Sequence, residues 1–84
     1  MKVQFNDCNV REVRIGTSKR GSEYAVVRLF TPEPEMYELF FTGSDVDLAK
    51  QLSKGNSYDF SFDLLPAYNG GVRLAFDGPA VPAL

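Results

Sequence analysis

Apolar and polar positions alternate over most of the chain, which is the period of a half-buried strand. Val3, Phe5, Cys8 and Val10 begin a long first run, and Val13 and Ile15 continue it in the opposite phase. A slip of phase inside one strand predicts a bulge, which bends and over-twists it. Thr17, Ser18, Lys19, Arg20, Gly21 and Ser22 read as a turn. Residues 24–30, with Val26, Val27 and Leu29, are rich in β-formers and make a second strand. Thr31, Pro32, Glu33, Pro34 and Glu35 interrupt the sheet, since proline has no N–H for a ladder. Residues 36–42 are a third strand.

The period then changes. Val46, Leu48, Ala49 and Leu52 form a narrow apolar stripe at helical spacing. Ser44 is placed to cap this helix, Asp45 and Asp47 complement its positive start, and Gly55 supplies a left-handed stop. The expected helix is short and spans 44–53, a plug under the sheet. Tyr58, Phe60, Phe62 and Leu64 alternate with Asp59, Ser61 and Asp63, a strand with one wet face. Asn69-Gly70 is a hairpin signal, and Val72, Leu74 and Phe76 alternate beyond it.

The order β-β-β-α-β-β predicts an all-β fold: a five-stranded Greek-key barrel of the OB type, with one short helix between strands 3 and 4. Residues 1–78 make the domain, and 79–84 a proline-rich C-terminal tail unsuited to central pairing. An SH3-like barrel is the rival, but that fold usually lacks a capped helix at this point. Phe5, Phe60, Phe62 and Phe76 fall on the inward faces, and Cys8 reads as a small buried hydrophobe. Phe40 is out of phase with Tyr37, Leu39 and Phe41, so one of those two faces points outward. Phe30, Tyr37 and Phe40 are thus open between core, ligand and partner.

Composition narrows the chemistry. With 84 residues the chain is one domain, and with no histidine and one cysteine it lacks most metal sites, His-dependent triads and any internal disulfide. No cofactor and no small-molecule substrate are expected. The longest apolar runs, such as Leu39, Phe40 and Phe41, fall far short of a membrane span, and residues 1–7 do not read as a signal peptide. A cytoplasmic protein without membrane contact is expected. The carboxylates have structural roles at a helix start, a proline loop and a wet strand face, and no glycine-rich phosphate loop opens a helix. An enzyme is not expected.

Net charge is −2, yet its distribution is uneven. Residues 1–28 hold six basic and three acidic residues, while 29–49 hold five acidic and none basic. A molecule negative as a whole can still present one positive face. Arg14, Gly16, Ser18, Lys19, Arg20, Gly21 and Tyr24 bring cations, hydroxyl, glycines and a ring together around the first loop. Single strands are held by cations tracking phosphates and by rings stacking on bases. The glycines are expected to let backbone approach a phosphate and take unusual torsions. Tyr68, beside the late hairpin turn, is a second stacking candidate, because the first and last loops of an OB fold flank its binding face. The alternative is an OB-type protein-interaction module that uses the acidic 29–49 segment.

The segment 14–24 resembles the DNA-binding loop of the single-stranded DNA-binding proteins of filamentous bacteriophages, the gene V type. The resemblance lies in Arg14, Gly16, Ser18, Lys19, Gly21 and Tyr24. Gly16-Thr17-Ser18 and the closing Leu74-Ala75-Phe76-Asp77 are similar to the Pseudomonas-phage branch. The resemblance implies that Arg14 and Lys19 contact phosphates, Tyr24 stacks on a base, and Tyr68 contacts DNA or a neighbouring subunit. It further implies a homodimer in the host cytoplasm that coats phage single-stranded DNA cooperatively, blocks conversion to duplex during replication, and in some members represses translation through messenger RNA.

Overall fold

The computed structural model describes residues 1–67 and 70–83. Strands β1 (Lys2–Thr17), β2 (Glu23–Phe30) and β3 (Met36–Thr42) form an antiparallel meander. A short helix α1 (Asp45–Lys50) follows, then β4 (Ser57–Pro66), β5 (Val72–Phe76) and β6 (Val81–Pro82). Hydrogen-bonded neighbours run β3-β2-β1-β4-β5, with β6 on β4. Three hairpin-linked strands with the fourth returning beside the first is the Greek-key order. The sheet curls into a five-stranded half-barrel whose end strands, β3 and β5, face one another. This is the expected OB-like all-β fold, with its helix between β3 and β4.

Strand β1 takes part in both halves of the sheet. Its outer stretch pairs with β2 from Asn9 to Thr17, and its first half pairs with β4 from Lys2 to Asn9. The phase slip predicted between Val10 and Val13 is a bulge, where the register to β2 shifts between Val10 and Glu12. A second bulge lies between Phe5 and Cys8 against β4, where Asp7 adopts φ 53°. Phe5 and Cys8 are themselves out of phase, so the sequence carried this signal as well. The exposed amide of Asp7 donates to Asp59 Oδ1 at 2.8 Å, which ties the bulge to β4.

The core is largely aromatic. Phe41, Phe60 and Phe62 are almost fully buried, and Phe41 stacks on Phe76 with centroids 4.5 Å apart. Phe62 meets Phe60 at 5.6 Å and Phe41 at 5.9 Å. Rings arranged in offset and edge contacts add to what their buried area contributes. Phe5 stays half-buried at the rim, against Phe62 and Tyr37. Cys8 is buried, and its Sγ lies 3.6 Å from the Asn6 carbonyl, to which it donates. Desolvation pushes its thiol pKa up, which fits the packing role expected for it.

Helix α1 is shorter than the 44–53 span expected. Ser44 has helical torsions and makes no side-chain cap; the preceding Gly43, at φ 65°, turns the chain into the helix. Val46 and Ala49 of the helix, with Leu52 beyond it, are buried in the core. Gly55 does not end the helix. At φ 93° it closes the following loop, and its N–H donates to the Val10 carbonyl at 2.8 Å. That loop is held again where the Ser53 amide donates to the Tyr58 phenol oxygen at 2.9 Å, a bond that also lowers the Tyr58 pKa. Within the segment expected to be a tail, Val81 and Pro82 pair with Asp59 and Tyr58 on the edge of β4, short of the stretch paired with β5.

Tyr58→Phe keeps the ring in the core and removes the acceptor for the Ser53 amide. A loss of about 1 kcal/mol is expected, read in urea unfolding with the denaturant slope unchanged.

Candidate nucleic-acid interface

The β1–β2 connection is a clamped turn. The Gly21 amide donates to the Ser18 carbonyl at 2.9 Å, and the Ser18 amide to the Ser22 carbonyl at 2.7 Å. Ser18 Oγ accepts from the Ser22 amide at 3.2 Å. Gly21 closes the turn at φ 84°, a conformation that other residues rarely adopt. Lys19 and Arg20 are therefore held at the tip, exposed, and among the described residues neither has a carboxylate partner.

Gly16 is not part of this turn. It lies in β1 directly opposite Tyr24, with ordinary backbone torsions. Its missing side chain is filled by a ring. A Cβ there would overlap Cζ and Oη of Tyr24 and come within 2.9 Å of Cε1. The Tyr24 ring thus lies across the β1 backbone. Gly16 acts by seating the ring, in place of the unusual torsion and phosphate approach expected of it.

The outward-facing residues of β2 are Tyr24, Val26, Arg28 and Phe30, which alternate with the buried Ala25, Val27 and Leu29. Across the ladder they meet Thr42, Phe40, Glu38 and Met36 of β3. Phe40 is 60% exposed, and its ring stacks with that of Tyr24 at 5.3 Å and 24°. Arg14, opposite Val26 in β1, lines one shallow depression with Ile15, Gly16, Tyr24 and Val26, none of which is acidic. Arg14 and Tyr24 thus share a face.

Carboxylates neutralise the middle of this face. Glu12 Oε1 lies 3.2 Å from Arg14 Nε and 3.9 Å from Arg28 Nε. Arg28 also donates to Glu38 Oε2 at 2.9 Å, which, with Glu12 nearby, holds its guanidinium pKa above the ordinary value. Beyond this quartet, the Arg11 guanidinium lies over the Phe30 ring at 4.9 Å.

The acidic segment is divided among several elements. Glu38 is paired on the outer face, Glu33 and Glu35 border a depression beside Asp7 and Tyr37, and Asp45 and Asp47 sit in the first turn of α1. Tyr37 turns toward Phe5, and its hydroxyl donates to Glu35 Oε2 at 3.2 Å, which raises the phenol pKa. Of the three rings left open by sequence, Tyr37 belongs to the barrel rim, and Phe30 and Phe40 to the outer face. The phase of Tyr24 along β2 was the signal that would have placed Phe30. Tyr68 lies outside the described residues. Among those residues no three acidic or cysteine side chains are grouped to hold a metal ion, and no helix is long and apolar enough to cross a membrane.

Comparison with protein-family models, with curated proteins and with solved structures gives no match.

Gly16→Ala drives its new methyl into the Tyr24 ring. The expected result is a changed near-UV circular dichroism band for tyrosine, with cooperative unfolding retained and stability altered by less than about 1 kcal/mol, because the ring lies on the outer face and can swing aside.

Proposed function

We propose that this protein binds single-stranded DNA, cooperatively and with little regard to base sequence. In this reading it is a homodimer of the filamentous-phage gene V kind. It coats phage strands in the host cytoplasm during replication and blocks their conversion to duplex. RNA, as messenger, is a second ligand through which translation is repressed.

One observation carries the reading: a tyrosine ring seated on a glycine, stacked on an exposed phenylalanine, beside an arginine and next to two cations at a clamped turn that have no carboxylate partner among the described residues. Rings supply stacking that every base can satisfy, and cations supply phosphate contacts. Lys19 and Arg20 are the phosphate ligands, and Arg14 joins them by leaving its exposed, weak ion pair with Glu12; Tyr24 and Phe40 are the stacking pair. The backbone clamp and the filled glycine hold these groups before any strand arrives, so less ordering accompanies binding. No reacting group is required, because the ligand is held and released unchanged.

The test is titration of tyrosine fluorescence with poly(dT) at two salt concentrations. With three to five phosphates neutralised, log affinity falls against log salt with a slope of roughly −2 to −3.5. Tyr24→Ala costs roughly 1–3 kcal/mol per stacked base with the fold intact. Absence of oligonucleotide binding at low salt would overturn the reading in favour of a protein-interaction module.

A further inference from the structure

The outer face has a second end. At the bulge in β1, Val10 points into the core and Val13 packs against it, while Arg11 and Glu12 between them reach the outer face. An unbulged strand would place neighbouring residues on opposite faces. Here Glu12 goes to Arg14 and Arg28, and Arg11 goes to Phe30. Arg11 is exposed, and among the described residues it has no carboxylate partner. Met36, which is 53% exposed, lies opposite Phe30 and extends the apolar floor.

We infer that Arg11 and Phe30 form a second base-stacking and phosphate-binding subsite. A strand gripped at Tyr24 and the Lys19-Arg20 turn then continues along β2 to its other end. The inference rests on the nucleic-acid reading above and adds a place and a direction to it. The chemistry at the two ends is the same: a ring, an adjoining apolar side chain and a cation without a carboxylate. Aromatic rings and guanidinium groups are each platforms on which a base can stack. Tyr24 and Phe30 are six residues apart along β2, about 20 Å at the rise of a strand. The quartet of Glu12, Arg14, Arg28 and Glu38, whose charges cancel, lies between them. The ligand is thus held at two ends and crosses a neutral middle.

The experiment uses the whole chain and end-labelled oligothymidylates of increasing length, followed by fluorescence anisotropy at low salt. The variants are Arg11→Gln, at an exposed position, and Phe30→Leu, which keeps an apolar group in place. Cooperative urea unfolding reports that each is folded. The expected result is a step in wild-type affinity once the strand spans the face. Both variants lose that step, roughly tenfold or more, and bind the shortest oligomers like wild type. If the variants match wild type at every length while Tyr24→Ala weakens binding, the second subsite is refuted and the first stands. Equal loss at all lengths also refutes a separate subsite. If wild type binds no oligomer, the nucleic-acid reading fails and the inference fails with it.

Discussion

One strand has to take part in both halves of the sheet, and the rest of the molecule follows from how it does so. β1 pairs with β4 over its first half and with β2 over its second. A strand cannot turn that corner with a regular pleat, because the inward set of side chains must stay inward through the bend. Two bulges solve the problem. The one at Asp7 re-phases Phe5 and Cys8, and the one after Val10 re-phases Val10 and Val13. Both keep apolar residues in a small aromatic core that has few residues to lose. The second bulge also leaves two charged neighbours on the outer surface, so the bend that closes the fold furnishes the candidate interface.

Electrostatics on that surface is a matter of pairing more than of totals. The protein is net negative, yet its outer-face carboxylates are occupied by Arg14 and Arg28, and Lys50 is held by Glu23. Lys2 is bound by Asp63 and Asp77 elsewhere, which raises its pKa. Among the described residues, Lys19, Arg20 and Arg11 are left without a carboxylate on the β1–β2 side. Exposed ion pairs are weak and salt-screened, so their main effect here is to decide which cations remain available.

Much of the architecture was legible in the alternation of side chains. Residues 36–42 were bounded as the structure has them, and the change of period at Val46 located the only helix among the described residues. Ser44 was misread because capping residues mark helix starts only where their torsions are extended, and here glycine had already turned the chain. In the candidate site, Arg14, Lys19, Arg20 and Tyr24 could be grouped by proximity in sequence. The role of Gly16 could not, since it depends on which residue lies across the ladder, and register is a property of two strands together. The partnership of Tyr24 with Phe40 was hidden for the same reason.

The half-barrel leaves a seam between β3 and β5. Elsewhere the wall is laced by backbone hydrogen bonds, but across this gap the ring of Phe41 rests on that of Phe76. Dispersion between rings is soft with respect to sliding, whereas a ladder of amides is not. The stiffness of the molecule is therefore uneven. β1 joins the β2–β3 panel to the β4–β5 panel by ladders on both of its edges, while the far edges of the two panels meet through side chains.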